Sequence, residues 1–347
     1  MVRSTAARAG LATAAAGAIG LGVLTVPAGA GQAPSLPDVA AEQLVASVLT
    51  AKPPALAGTV QLDNALGLPA LPGMSDEQRP GESPLSEPAT TARVWSDGQG
   101  RSRLALPSHG GEQTYVADGD TLWRYDSASR TATAIEHGER LVADQKPAVD
   151  PAAAAQAVVS RVRETSSVAV DGTARVAGRP AYELVLTPAP TERTLLREVR
   201  VAVDSATRMP LQLTVLANGS PEPALQAGFT DLDVSPQDAG LFTFTAPEGV
   251  PVQRPELPQR SELSPPASTV RTVGDGWDTV VLGRLPAAGD TGADPLAMAR
   301  ELGRPASGPW GDGWAIDTAV GTVLVASDGR VAAGAVPQQV LDEALAR

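Results

Sequence analysis

The fold is decided by two runs of sequence in the first half of the chain, VWSDGQGRSRLALP at residues 94–107 and TYVADGDTLWRYDSASRTATAIE at residues 114–136. Apolar and polar residues alternate along much of both runs, which is the period of a half-buried strand. The dipeptides Asp97-Gly98 and Asp118-Gly119 interrupt the alternation, and Asp-Gly readily takes the positive φ angles of tight hairpin turns. These runs therefore predict an antiparallel meander of short strands.

A second set of alternating runs extends from about Val168 to Phe244, with further hairpin signals at Asp171-Gly172 and Asn218-Gly219. Each set follows a predicted helix. The first helix covers about residues 37–52 after a capping-box pattern, and the second begins at Asp150-Pro151. This order predicts an α+β fold, a half-open antiparallel β-barrel made of one long curved sheet that is covered by helices on one face.

The ends of the chain differ from this pattern in composition. Residues 1–30 combine two arginines, an apolar stretch over 11–26 and the small residues Ala28-Gly29-Ala30, which is typical of a signal peptide cleaved after Ala30. An uncleaved membrane anchor is the alternative, but the apolar stretch is shorter than the ~20 residues that cross a bilayer. We therefore predict an extracytoplasmic protein, secreted or associated with the cell envelope.

The predicted domains follow from the distribution of proline and hydrophobic residues. A first domain occupies residues 31–250 and contains a Pro- and Gly-rich surface loop at 64–90. A Pro-rich linker follows at 251–268. Residues 269–347 are predicted to form a small C-terminal α/β domain, with a helix opened by Asp294-Pro295.

Composition excludes several classes of function. The 347 residues include 27 Lys and Arg against 39 Asp and Glu, and the resulting net charge of −12 repels nucleic acid. The chain has no Cys and two His, His109 and His137, which disfavours a thiol catalyst or a metal centre. Nucleophile-elbow and phosphate-loop motifs are also absent. We therefore expect no enzymatic activity, no cofactor and no bound metal.

An aliphatic stripe runs along the predicted strands and is the candidate ligand-binding feature. Two modest helices are too few to cover a sheet of about ten strands, so part of the stripe is expected to line a cavity for acyl chains. The alternative is that the stripe is an ordinary packed core. The stripe consists of Val60, Leu62, Leu104, Leu106, Leu184, Leu186, Val199, Val201, Val203, Leu211, Leu213 and Val215.

Several motifs, in one order over residues 36–250, carry a family resemblance. They include Arg101-Ser102-Arg103, Asp118-Gly119-Asp120 and Trp123-Arg124-Tyr125-Asp126. Three longer runs follow them, DGTARVAGRPAYELVLTP, REVRVAVDSATRMPLQLTV and FTDLDVSPQDAGLFTFTAPEGV. With these motifs the chain resembles the LolA/LppX/RseB group, and in particular its actinobacterial lipoprotein-carrier-like and lipoprotein-sorting members and the N-terminal part of MucB/RseB.

The resemblance implies a half-open barrel with a helical lid that holds lipid or lipoprotein acyl chains and has no catalytic residues. It also implies an arginine that contacts the lid, for which Arg93 and Arg103 are the candidates. RseB-like proteins suggest an alternative function, an envelope sensor that regulates a membrane-bound anti-sigma factor or another membrane partner. In that case the C-terminal domain would bind the partner, and Trp277, Trp310 and Trp314 would either anchor the interface or form the domain core. The loop at 64–90 is not part of the common family pattern.

Overall fold

The structure is a computed structural model that describes residues 33–67, 88–108, 110–136, 159–255, 270–285 and 295–347. Several predicted features lie outside these residues: the signal peptide, most of the loop at 64–90, both histidines, the start of the helix at Asp150-Pro151 and most of the linker at 251–268.

The described residues form two sheets, antiparallel in all but one strand pair, and three α-helices besides the helical residues 159–162. The larger sheet contains β1 (Ala55–Asn64), β2 (Ala89–Asp97), β3 (Ser102–Ser108), β4 (Gly111–Ala117), β5 (Thr121–Asp126), β6 (Thr131–Glu136), β7 (Ser166–Val176), β8 (Arg179–Pro188), β9 (Leu196–Asp204), β10 (Pro210–Ala217), β11 (Pro223–Asp233) and β12 (Val252–Gln253). The smaller sheet contains β13 (Arg271–Val273), β14 (Val280–Arg284), β15 (Arg304–Gly308), β16 (Gly311–Asp317), β17 (Thr322–Ala326) and β18 (Arg330–Gly334). The helices are α1 (Ala41–Thr50), α2 (Pro295–Leu302) and α3 (Gln338–Leu345).

The larger sheet is an open meander. Its strand order is β12-β6-β5-β4-β3-β2-β1-β11-β10-β9-β8-β7, so β1 joins the two meanders by pairing with both β2 and β11. The sheet does not close into a barrel, because β12 and β7 are its two edges. Gly98 and Gly119 lie in hairpin turns with φ angles of 72° and 92°, as the Asp-Gly dipeptides predict.

Two local predictions are corrected by the larger sheet. Asp171-Gly172 does not separate two strands but forms a bulge inside β7, where Gly172 has a φ of 90°. The chain turns instead at Ala177-Gly178, where both residues have positive φ. The strand β12 lies within the predicted linker and pairs in parallel with β6, because its backbone groups complete the edge of the sheet.

Helix α1 begins later than the capping-box pattern predicts. Ala40 is the N-cap and makes no side-chain capping hydrogen bond. Leu36 and Val39, in the segment that was predicted to start the helix, instead pack with Leu44 of α1 against the sheet. The burial of these two side chains favours an extended approach to the helix over an additional helical turn.

The smaller sheet has the order β13-β14-β18-β17-β16-β15 and is antiparallel throughout, so the C-terminal part is α+β rather than α/β in the strict sense. Helix α3 packs on one face, where Leu341 and Leu324 are fully buried. The sequence pattern did not reveal β15 and β16. Glycines obscure the alternation there, and Gly313 is required because a Cβ would lie 2.1 Å from the carbonyl oxygen of Val325.

The larger sheet is covered differently on its two faces. Helix α1 and the helical residues 159–162 lie over β7 to β9 on one face. On the other face, the chain after β11 covers β2 to β6. There the ring of Phe244 lies 5.2 Å from that of Trp123 and 5.6 Å from that of Tyr125, and Phe242 is completely buried.

A buried ion pair stabilises the turn between β9 and β10. Asp204 is 1% exposed and accepts hydrogen bonds from Arg179 at 2.5 and 3.2 Å and from the backbone N–H groups of Ala206 and Thr207. Burial raises the pKa of Asp204, but these hydrogen bonds outweigh burial and hold the pKa below its ordinary value. The ionised carboxylate therefore contributes to the stability of the fold.

We expect Asp204→Asn to lower the free energy of unfolding by about 3 kcal/mol at neutral pH, because the substitution leaves the partly buried Arg179 without its counter-charge. A lowered folded-state pKa stabilises the protein above the unfolded-state pKa of ~4, and this contribution is lost as the pH falls through the folded-state pKa. Urea unfolding of both proteins at pH 7 and pH 3 measures the effect. A difference in stability that did not shrink at pH 3 would contradict this account.

Candidate functional site

Strand register places eleven of the twelve stripe residues on one face of the larger sheet. Directly paired residues share a face, and Leu62 pairs with Ala227, which also pairs with Leu213. The same relation continues from Leu213 through Val201 to Leu184. We call this surface the apolar face, and it comprises Val60, Leu62, Leu104, Leu106, Leu184, Leu186, Val199, Val201, Val203, Leu213 and Val215.

Leu211 is the exception among the predicted stripe residues. It lies in an irregularity of β10, where the register shifts between Pro210 and Gln212. Leu211 is 2% exposed and clusters with Ala181 and Ala202, whose alternation along β8 and β9 directs them to the opposite face. The extra residue of the bulge explains the reversal, and Leu211 belongs to the core of the opposite face.

The apolar face is packed at one end and open at the other. Under α1, Leu44 and Val203 are essentially buried, and Leu184 and Val201 pack against the same cluster. Over β1, β3 and β10 the aliphatic side chains are partly exposed, and Leu213 is 37% exposed in the interior of the sheet. One part of the face is thus a core, and the other presents aliphatic carbon to solvent.

A cavity of about 480 Å³ lies where the apolar face meets the smaller sheet. Its apolar lining includes Val162, Leu186 and Leu196, and Trp277 lines it from the smaller-sheet side. Arg161 and Asp275 also line it. This volume falls in the range of small-molecule sites, and Leu186 belongs both to the cavity and to the apolar face.

Polar contacts beside this cavity join the two sheets. The backbone N–H of Trp277 donates to Glu192 at 2.7 Å, and its indole N–H donates to the hydroxyl of Ser166 at 2.5 Å. The carbonyl oxygen of Ala335 accepts hydrogen bonds from the Thr194 hydroxyl at 2.6 Å and from the backbone N–H of Leu195 at 2.8 Å. From the sequence, Trp277 is either an interface anchor or part of the domain core, and the structure places it at the junction of the sheets.

The other tryptophans of the C-terminal part have internal roles. Trp310 is 5% exposed in the core of the smaller sheet, and its indole N–H donates to Asp342 at 2.7 Å. Trp314 lies under the guanidinium group of Arg300, at 5.3 Å from the ring centroid. Trp310 is thus part of the core, and Arg300 covers part of the Trp314 ring.

The candidate lid contacts Arg93 and Arg103 lie on the face opposite to α1. Trp95 pairs with Arg103, and Val94, between Arg93 and Trp95, pairs with Leu104 of the apolar face. Alternation therefore directs both arginines away from α1, and both stack on Trp95. The arginine that contacts α1 in the structure is Arg163, which forms an ion pair with Glu42.

Arg208 is a further residue near α1 that the sequence did not point to. Its guanidinium group lies 5.2 Å from the ring centroid of Tyr182, a 6% exposed residue in the cluster beneath α1. The buried Nη1 atom of Arg208 has no hydrogen-bond partner in the described part of the chain. Arg208 has a positive φ of 63°, but the sequence signals only a turn there and cannot show the stacking.

Five carboxyl groups of the described residues have pKa values shifted from the ordinary range. Where a carboxyl pKa departs from its ordinary value in these residues, it is lowered, which keeps the carboxylate ionised at neutral pH. Within the described ranges, no group of three or more His, Cys, Asp or Glu residues is placed to hold a metal ion.

A membrane-spanning helix is also not found: in the part of the chain that the structure describes, every helix is too short or too polar to cross a bilayer.

The fold and the site define a class of protein: two antiparallel sheets, the larger of which presents an open apolar face beside an inter-sheet cavity. Among solved structures, the chain is similar to one from the Pseudomonas aeruginosa MucA/MucB complex, with 18% identity, a TM-score of 0.45, and coverage of 88% of this chain and 96% of that chain. It is also similar to a LolA superfamily protein from Nitrosomonas europaea, with 14% identity, a TM-score of 0.24, and coverage of 60% of this chain and 99% of that chain.

The lipoprotein LppX of Mycobacterium tuberculosis is a third match, with 8% identity, a TM-score of 0.29, and coverage of 55% of this chain and 92% of that chain. These structures come from the LolA/LppX/RseB group that the sequence resembles. No protein-family model matches the chain, and the comparison with curated proteins finds no match.

Proposed function

We propose that this protein binds lipid or lipoprotein acyl chains on its apolar face and acts as a non-enzymatic, extracytoplasmic carrier. The observation that supports the proposal is the partly exposed aliphatic surface over β1, β3 and β10, in the interior of a sheet rather than at its edge. Exposed apolar surface of this kind marks a site that a ligand or a partner covers. The proposal includes removal of residues 1–30 and the domain limits 31–250, 251–268 and 269–347.

The strength of binding follows from the area available. Each buried methylene contributes about 0.8 kcal/mol, so a sixteen-carbon chain gains on the order of ten kcal/mol before the cost of ordering the chain. The inter-sheet cavity extends the apolar face at Leu186. In this proposal the acyl chain lies along the open part of the face, α1 covers its neighbouring part, and the cavity receives one end of the chain.

The experiment is a search for bound lipid in the purified full-length protein. Denaturing mass spectrometry of an organic extract identifies lipid that copurifies, and displacement of a fluorescent fatty acid measures exchange. We expect copurifying acyl lipid or saturable displacement. A protein that carried no lipid and bound no fluorescent fatty acid would contradict the proposal.

A second candidate function is an envelope sensor that regulates a membrane protein, such as an anti-sigma factor, through the C-terminal part. Two exposed valines in the C-terminal part favour the sensor function. Val270 is 58% exposed and Val281 is 44% exposed. Both lie at the β13–β14 edge of the smaller sheet, where a partner could cover them. The tryptophans considered for this role are occupied by internal contacts.

If this second function holds, Val281→Glu in the full chain should reduce capture of a membrane partner at least tenfold, because a carboxylate would be buried in an apolar interface. Quantitative pull-down from solubilised membranes measures the loss. The matched control is Gln339→Glu, which adds the same charge at an exposed position of α3. Equal capture by the two variants and the unchanged protein would remove the sensor hypothesis.

A further inference from the structure

Two arginines share one indole ring on the face opposite the apolar face. Arg93 and Trp95 are two residues apart on β2, and Trp95 pairs with Arg103 on β3. The guanidinium carbons lie 4.9 Å and 5.9 Å from the centroid of the Trp95 ring. Strand register therefore places two positive charges over one aromatic side chain.

Within the described ranges these two charges have no acidic partner. Two other arginines of the larger sheet, Arg179 and Arg200, are paired with the carboxylates of Asp204 and Glu198. Arg93 and Arg103 have neither an ion pair nor a hydrogen-bond acceptor among the residues that the structure describes. Two like charges held on one ring repel each other, and a bound anion would relieve that repulsion.

The neighbouring side chains leave space for a ligand. Thr59 and Ala105 pair with Arg93, and Ala57 pairs with Trp95 on the side away from Arg103. All three side chains are small, and Arg93 is exposed to solvent. The cluster is thus open on the Arg93 side, whereas Ala105, at 4% exposure, lies in the covered part of this face.

Acidic residues lie on this face around the cluster. Asp97, two residues after Trp95 on β2, is paired with Arg101, and Glu112 lies on the same face of β4. Asp231 pairs with Thr59 and Asp233 pairs with Ala57, so both lie on the same face two strands from the β2 residues of the cluster, at about 10 Å. Asp233 already accepts a hydrogen bond from Ser235. A ligand that approaches from the β11 side meets negative charge, so the anion must be small enough to stay over β2 and β3.

We propose that Arg93, Trp95 and Arg103 form a binding site for the phosphate group of a small, water-soluble phosphate ester. Two guanidinium groups offer forked N–H donors that match phosphate oxygens, and the indole ring keeps the donors in place. A free ester is favoured over a phospholipid surface, since a net charge of −12 repels an anionic membrane but hardly excludes a small anion. The site is independent of acyl-chain binding, which uses the other face.

NMR of the ¹⁵N-labelled full chain tests the site directly. The five tryptophans give five indole N–H signals, and Trp95→Phe identifies the one that belongs to Trp95. Inorganic phosphate and glycerol 3-phosphate are the probes. We expect a saturable shift of the Trp95 signal with both, and weaker binding as the sodium chloride concentration rises.

Substitutions separate recognition from general charge. Arg93→Gln and Arg103→Gln should each weaken the binding of glycerol 3-phosphate about tenfold, because each removes charge-assisted hydrogen bonds. Asp231→Asn should tighten binding by removing a nearby negative charge. Arg271→Gln is the matched control, since Arg271 is an exposed arginine of the smaller sheet, and it should leave binding unchanged.

Two results would overturn the proposal. The first is the absence of a Trp95 shift with both soluble probes, or an equal shift in the double variant Arg93→Gln, Arg103→Gln with its spectrum otherwise native. The second is binding to phosphatidylglycerol vesicles without binding to phosphatidylcholine vesicles or to the soluble probes. In that case the double variant would lose the binding to phosphatidylglycerol vesicles. This second result would assign the cluster to a lipid headgroup instead of a free ester.

Discussion

Leu213→Arg is expected to weaken the binding of a fluorescent fatty acid at least tenfold. Leu213 lies on β10 between Val201 of β9 and Ala227 of β11, so a ligand on the open part of the apolar face must cover it. An arginine there would lose its hydration against acyl carbons without gaining a counter-charge. Because Leu213 is 37% exposed, the substitution costs the fold little and the loss is specific to binding.

The matched control for Leu213→Arg is Gln226→Arg on the neighbouring strand. Gln226 pairs with Thr214, so it faces the opposite side of the sheet from Leu213. The control adds the same charge at nearly the same place along the strands but on the other face. Fatty-acid displacement from both variants measures the difference. If both bound as tightly as the unchanged protein, the apolar face would not be the acyl-chain site.

Leu44→Ala is expected to lower the free energy of unfolding by about 3 kcal/mol. Leu44 is completely buried and packs on Tyr182 and Val203, which makes it the main contact of α1 with the sheet. Truncation removes buried methylenes and leaves a cavity that a sheet-bound helix cannot fill by moving. Urea unfolding followed by circular dichroism measures the change.

Leu49→Ala is the control for Leu44→Ala on the same helix. Leu49 is 54% exposed, so the same truncation should change stability by less than about 0.5 kcal/mol. Alanine has a higher helix propensity than leucine. Both variants gain by the same amount, so this contribution cancels when their stabilities are compared. Similar losses in the two variants would mean that α1 is not held by its contact with the apolar face.

The strands and most of the stripe could be predicted because both depend on local sequence. Hairpin glycines such as Gly98 and Gly219 need positive φ angles, and alternating side chains on a strand must share a face. The same rule fails wherever a bulge inserts a residue. Leu211 and the Asp171-Gly172 dipeptide are the two examples, and neither bulge has a signal that distinguishes it from a regular strand or a turn.

The contacts between the predicted functional residues and distant parts of the chain could not be predicted in the same way. Arg93 and Arg103 are the candidates for the lid contact that the family resemblance implies. Which arginine lies near a helix depends on long-range packing, however, and this packing places α1 over β7 to β9. Trp277 likewise gave no sign that its indole N–H would donate to Ser166, 111 residues earlier in the chain. Glycine-rich β16 was missed because close backbone approach, and not side-chain alternation, determines it.

The sequence by itself thus determined an antiparallel, β-rich fold with a continuous aliphatic stripe, since strand period and turn chemistry act over a few residues. Only the tertiary structure decided that β1 joins the two meanders, that α1 covers one end of the stripe, and that a cavity opens where the smaller sheet meets it. Those features arise from contacts between residues far apart in the chain. Such contacts depend on the mutual fit of whole surfaces, which no local pattern encodes.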